Sequence, residues 1–316
     1  MEQKSFTGFM FGVIDELKQE ERFSTAYIYK YALRAFTDFV GGGEIFFGAL
    51  TRRWLKRFQE YLEDLQRSYN TISTYLRVLR AVYNRAVDRG MINGEYRLFA
   101  GMKTGVSSEH KLAVTAVQMN SLLDTSHRNH LSKEMREAQD SLALMLLLQG
   151  MPYIDLAYLH KNDLKGDLLV CHRRKTGTEL CVKVVPEAMC LIERYRNLDS
   201  ASPYLLNILS GRKKGEEAFN EYREKLHNLN ARLSALTEYC GLEGLRISSY
   251  TARHTWATLA KYCQVPEEVI SEGLGHSSLD VTRTYSKSFE GDELAKANRI
   301  IINYISTGRK NVWSMT

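Results

Sequence analysis

S-Y-T-A-R-H-T-W-A at residues 249–257 and L-G-H-S-S-L-D-V-T-R-T-Y at residues 274–285 decide the reading of this chain. They hold an arginine (Arg253), a Gly-His pair (Gly275, His276) and, nine residues past that histidine, a tyrosine (Tyr285). Arginine presents a planar fork of donors matched to phosphate oxygens and stays charged at any working pH. Histidine adds a donor, and a phenol is a competent nucleophile once deprotonated. A lone tyrosine is usually a packing or surface residue; the whole constellation argues for chemistry. No metal-ligand cluster and no glycine-rich phosphate loop accompany it, so no cofactor and no metal are expected. The chemistry reads as phosphoryl transfer with side-chain charge in place of a metal.

R-H-T-W-A, L-G-H-S-S and T-x-x-Y, in this order and spacing, resemble the catalytic core of the tyrosine recombinases, the phage-integrase family. Each motif is weak alone; together they are specific. The resemblance implies that Tyr285 attacks the scissile phosphate and forms a 3′-phosphotyrosine, releasing a 5′-hydroxyl. One phosphodiester replaces another, so no ATP is needed. Arg253 and His276 would hold the non-bridging oxygens. Lys175 would protonate the leaving 5′-oxygen, an alkoxide too basic to depart unaided.

Working outward from the motifs, the second half of the chain reads as helices with one change of period. Helices are expected near Thr115–Leu123 and over Ser132–Leu148, where Leu142, Met145, Leu146 and Leu148 look buried. Gln149-Gly150-Met151-Pro152 interrupts, and Tyr153–Leu159 resumes. L-L-V-C-H-R-R-K, a T-G-T turn and E-L-C-V-K-V-V-P then read as a β-hairpin with Lys175 at its tip. Helices return at Glu187–Tyr195, Phe219–Tyr239, Thr251–Tyr262, Pro266–Leu274 and Asp292–Ile305, with Arg212-Lys213-Lys214 as a solvated loop. In the terminal helix Leu294, Ala297, Ile300, Ile301 and Ile305 present more apolar surface than a free tail could expose. Recombinases of this type exchange a C-terminal segment to build a tetramer, so docking of helix 292–305 on a neighbouring copy is the expectation, with docking on its own domain as the rival.

From Phe6 to about Arg89 the pattern is helical, without a proline. Four apolar stripes recur at three- or four-residue steps: Phe9, Val13, Ile14 and Leu17; Tyr27, Tyr31, Phe36 and Phe39; Trp54, Leu55, Phe58, Leu62 and Leu65; Ile72, Leu76, Leu79, Tyr83 and Ala86. Such stripes make a bundle. Polar faces of this kind are commonly only solvated, but beside the motifs Arg52, Arg53, Lys56 and Arg57 on the third helix and Thr71, Thr74, Arg77 and Arg80 on the fourth read as DNA-backbone contacts. The fourth stretch also resembles the last long helix of the family's core-binding domain, which with the catalytic domain clamps the duplex. The Gly-, Ser- and charge-rich run from Glu95 to about Lys111 breaks the periodicity and reads as a linker. The expected layout is a helical core-binding (SAM-like) domain over 1–98, a linker over 99–112 and a catalytic domain over 113–316. A further N-terminal arm-binding domain, common in the family, is expected to be missing. The fold class is mainly α, with a mixed α+β catalytic domain carrying a small hairpin or sheet.

Composition agrees without deciding. The 316 residues suit two domains. Forty-three Lys and Arg against 37 Asp and Glu give a net charge of +6, compatible with a polyanionic partner. Five dispersed cysteines without C-x-x-C spacing point to reduced thiols. The N-terminus shows no apolar run of signal or membrane length. A cytoplasmic, nucleoid-associated location with no membrane partner is expected.

Two positions depart from the family. The usual H-x-x-R reads Tyr250-x-x-Arg253, which places a phenol, a poor base at neutral pH, where an imidazole is expected. The family's first arginine normally follows a G-L pair at a helix end, and Gly150-Met151-Pro152 stands there instead. Strand side chains two apart share a face, so Arg173 is expected to point with Lys175 and to replace the missing charge; Gln149, nearer in sequence but neutral, is the rival. The function expected is a site-specific DNA recombinase of integrase or invertase type, acting on double-stranded DNA as a tetramer on paired sites, monomeric in free solution, with accessory DNA-bending proteins as further partners. The alternative is a catalytically impaired relative that occupies sites without strand exchange. A relaxing topoisomerase with the same chemistry fits less well.

Overall fold

The computed structural model describes residues 4–95, 97–107, 113–126, 128–275 and 291–308. The chain forms two compact units, residues 1–109 and 110–316. The site residues His276 and Tyr285 lie outside the described residues.

The first unit is built by helices α1 (Phe6–Gln19), α2 (Phe23–Phe39), α3 (Arg52–Asp64) and α4 (Tyr69–Asp88). Serine and threonine set three of the four starts: the side chains of Ser5, Thr51 and Ser68 accept from the backbone N–H of Gly8, Trp54 and Thr71, satisfying donors the first turn leaves orphaned. The core is rich in aromatic edges, with Phe36 meeting Phe6, Trp54 and Phe58 at centroid distances of 5.4, 4.8 and 5.1 Å. Three residues of the expected stripes, Tyr27, Tyr31 and Leu65, fall outside it. Tyr31 is 40% and Leu65 46% exposed, because Ala32, Leu33 and Phe36 fill the inner face of α2 and Leu62 ends that of α3.

Residues 97–107, read above largely as linker, are held against this bundle. Leu98 and Phe99 are buried in its core. The Ser73 hydroxyl donates to the Gly105 carbonyl, and Asn70 exchanges two hydrogen bonds with the Ser107 backbone at 2.8 and 2.9 Å.

The second unit contains α5 (Ala116–Leu123), α6 (Lys133–Leu147), α7 (Tyr153–Ala157), an antiparallel sheet of β1 (Leu164–Lys165), β2 (Leu168–His172) and β3 (Glu179–Lys183), then α8 (Pro186–Arg194), α9 (Gly215–Tyr239), α10 (Thr251–Tyr262), α11 (Glu267–Gly273) and α12 (Gly291–Thr307). The hairpin register pairs Leu169 with Val182 and Cys171 with Leu180, which turns those four side chains into the core. The two-residue strand β1 is an addition to the expected hairpin; it is too short to carry a pattern. Among the described residues no helix is long and apolar enough to cross a membrane.

The terminal helix packs on its own unit. Leu294, Ala297, Ile301 and Ile305 are buried in the core of that unit. The fully buried Trp256 of α10 donates from Nε1 to Asn298 Oδ1 at 2.8 Å, and Asn298 Nδ2 donates to the Leu147 carbonyl at the end of α6 at 2.7 Å. Arg299 pairs with Glu187 of α8. An apolar stripe must be covered, but its residues do not say by which copy. Asn298→Ala leaves a buried indole N–H and a helix-terminal carbonyl unpaired, each costing about 1–3 kcal/mol. A stability loss of about 2–6 kcal/mol is the expected outcome in chemical denaturation of the whole chain.

Candidate active site

The site is assembled where α6 ends. Gln149 and Gly150 both take left-handed backbone (φ 59° and 69°), which turns the chain sharply into α7. Glycine is required at 150 because a Cβ there would lie 2.9 Å from the Arg253 Cα; the Gly150 carbonyl accepts from Arg253 Nη1 at 3.3 Å. Pro152 caps α7 at the position where an arginine was looked for.

Arg253 projects from the first turn of α10 and is 9% exposed. Its Nη2 donates to the Leu274 carbonyl at 2.7 Å. Arg173 reaches that same carbonyl from the hairpin, Nη1 to O 2.5 Å, with a longer bond to the Gly275 carbonyl at 3.4 Å. The two guanidinium groups therefore converge on one backbone oxygen. Gly275 (φ 62°) permits the approach, since a Cβ there would stand 2.7 Å from Leu180 Cδ2 and 3.3 Å from Arg173 Cγ. His276 is the next residue in the chain.

Asp155 of α7, 4% exposed, joins the candidate site although sequence reasoning did not single it out. Its Oδ2 accepts from Arg173 Nε at 2.8 Å and its Oδ1 from the Arg174 backbone N–H at 2.9 Å. The signal was available: a single carboxylate in the apolar run M-P-Y-I-D-L-A-Y-L must be buried and must find a cationic partner.

Two buried guanidinium groups against one carboxylate leave a surplus positive charge. Burial, with Arg173 alongside, pulls Arg253 down to about 10, against smaller opposing effects of Tyr250 and Asp155. A group whose charge is disfavoured by its surroundings gains when an anion arrives.

Arg173 continues the inward alternation of Leu169 and Cys171 in β2. Lys175 lies past the end of that alternation. The ladder closes with Arg173 N–H to the Thr178 carbonyl and Gly177 N–H to the Arg173 carbonyl, both 2.8 Å. Lys175 therefore sits exposed in the turn itself, where strand periodicity has ended. Gln149, the rival to Arg173, is 2% exposed and its amide makes no hydrogen bond, to either arginine or to anything else among the described residues. Tyr250 is 47% exposed at the start of α10, its ring 6.1 Å from that of His254. Among the described residues no three His, Cys, Asp or Glu side chains gather where a metal ion could be held.

In the first unit Arg52, Arg53 and Lys56 lie on the exposed face of α3, and Arg77 and Arg80 on that of α4. Thr71 and Thr74 are half-buried, with hydroxyls engaged by Ser68 Oγ and the Asn70 carbonyl at 2.9 and 2.7 Å.

Comparison with known proteins agrees with this geometry. Residues 5–99 match the phage integrase SAM-like domain, and residues 113–291, more than half of the chain, match the phage integrase family. No curated protein matches at the level of sequence. Among solved structures, the Tn1549 transposon integrase in complex with a circular intermediate DNA superposes with a TM-score of 0.59 at 13% identity, over 94% of this chain and 99% of that one. A lambda integrase dimer bound to a core site gives 0.62 at 13% identity, over 90% and 100%. A lambda integrase tetramer bound to a Holliday junction gives 0.59 at 13% identity, over 90% and 80%. At these identities the likeness speaks for the fold; the family matches speak for descent. The chain belongs to the phage integrase family, the tyrosine recombinases, and is a site-specific DNA recombinase.

Proposed function

We propose that this recombinase is catalytically competent and cleaves DNA with Tyr285 as nucleophile, Arg253 and Arg173 as the paired phosphate-binding cations, His276 as a further donor and Lys175 as general acid. The carrying observation is the convergence of Arg173 and Arg253 on the Leu274 carbonyl, with Asp155 neutralising only one of them. Tyr250 supplies a hydrogen bond where the family has an imidazole.

In this reading the Tyr285 hydroxyl loses its proton to solvent and its oxygen bonds to phosphorus as the bond to the 5′-oxygen breaks. The two arginines hold the non-bridging oxygens while charge builds on them. Lys175 gives its proton to the departing oxygen and takes one back when a 5′-hydroxyl attacks the phosphotyrosine. Arg52, Arg53, Lys56, Arg77 and Arg80 contact the backbone of double-stranded DNA; Thr71 and Thr74 lie between them with hydroxyls already spent on their own helix. The protein assembles as a tetramer on paired sites, as lambda integrase does on a Holliday junction, and works on the nucleoid. The test is incubation with a duplex nicked beside the cleavage position, so that the short product diffuses away. A denaturant-resistant 3′-linked protein–DNA complex is expected; a protein that binds the site and yields none is the impaired relative.

A further inference from the structure

Lys175 stands in an exposed turn, yet an acid must be placed to within a fraction of an ångström of the leaving oxygen. Within the hairpin the tip is self-contained: Gly177 N–H bonds the Arg173 carbonyl and the Thr176 and Thr178 hydroxyls bond each other at 3.0 Å. What remains to be fixed is how the tip sits on the rest of its unit. The root is gripped at two consecutive residues by two residues one turn apart on α7 and its cap. Asp155 takes the Arg173 side chain and the Arg174 backbone N–H. Tyr158 takes the Arg174 side chain, whose guanidinium carbon lies 3.9 Å from the centroid of the phenol ring. That ring is itself braced, edge-on to Tyr204 at 5.5 Å and beside Tyr222 at 5.8 Å.

From this geometry we infer that Arg174 is a positioning residue: its stacking on Tyr158 sets the orientation of the hairpin tip and so the placement of Lys175. The inference rests on Lys175 as the general acid. Arg174 is exposed, so its removal does not threaten the fold, and the solvated cation–π contact is worth roughly two- to five-fold in the population of the correctly aimed tip. Tyr158→Phe keeps the ring face and Tyr158→Leu removes it, which separates stacking from side-chain bulk.

The experiment compares cleavage of ordinary DNA with cleavage of DNA whose 5′ leaving oxygen is replaced by sulfur, since a thiolate departs without a proton. Lys175→Ala is the reference: strongly slowed on oxygen, recovered on sulfur. Arg174→Ala is expected to be slowed about two- to five-fold on oxygen and to match the wild type on sulfur, with Tyr158→Leu behaving alike, and Tyr158→Phe and Arg174→Lys losing less. Equal slowing of Arg174→Ala on both substrates, or none on either, overturns the inference and leaves Arg174 as a DNA contact or a bystander. If Lys175→Ala is itself not recovered by sulfur, the general-acid reading fails instead.

Discussion

Arg173→Ala is expected to lower covalent-complex formation by roughly 10²–10³-fold, the effect of removing one donor to a developing oxyanion. Arg174→Ala, next in the chain, should lose only a small fraction of that. The difference follows from where the two side chains go, one inward to the Leu274 carbonyl beside Arg253, the other outward onto Tyr158. Arg173 also neutralises the buried Asp155, and stripping one partner from a buried pair destabilises by about 3–5 kcal/mol. Arg173→Ala combined with Asp155→Ala leaves no orphaned carboxylate, and Asp155→Ala alone controls for the lost grip on the Arg174 backbone, so the part of the double variant's cleavage defect that exceeds that of Asp155→Ala belongs to Arg173. Arg173→Lys should fall between, because an ammonium cannot serve the carboxylate from one edge and the carbonyl from another as a guanidinium does. These rates are read in single turnover on nicked DNA at saturating protein.

Tyr285→Phe is expected to bind its DNA site as the wild type does and to form no covalent complex at all. The substitution removes one oxygen and leaves the ring, so packing and backbone contacts persist while the nucleophile is gone. Binding is read by gel shift and linkage by denaturing electrophoresis of the same reactions. Undiminished linkage would mean that another side chain attacks; Tyr250, exposed beside Arg253, would be the first to examine.

Much of this was legible in the residues. The stripes Val13–Ile14–Leu17 and Leu55–Phe58–Leu62 announce which faces are buried, because side-chain period follows helix geometry. The change of period at L-L-V-C-H announces the hairpin, and with it the inward turn of Arg173. What stayed hidden are features that side-chain identity does not encode. Leu274 and Gly150 act through backbone carbonyls, which any residue supplies. Lys175 lies beyond the last ladder pair, where alternation no longer applies. The terminal helix reads as needing cover, yet intramolecular and intermolecular cover bury the same Leu294, Ala297, Ile301 and Ile305. Asp155 was readable as a charge that must be paired, but its partner is set by the packing of α7 on the hairpin root.

The most direct measurement compares wild type and Arg173→Ala on DNA carrying either the natural scissile phosphate or a neutral methylphosphonate in its place. A methyl group removes one non-bridging charge, so less cationic help is needed at the transition state. If Arg173 stands in for the arginine that Pro152 displaces, the wide gap between the two proteins on phosphate narrows sharply on methylphosphonate. A gap of the same size on both substrates, or Arg173→Ala cleaving the natural phosphate like the wild type, would contradict that assignment.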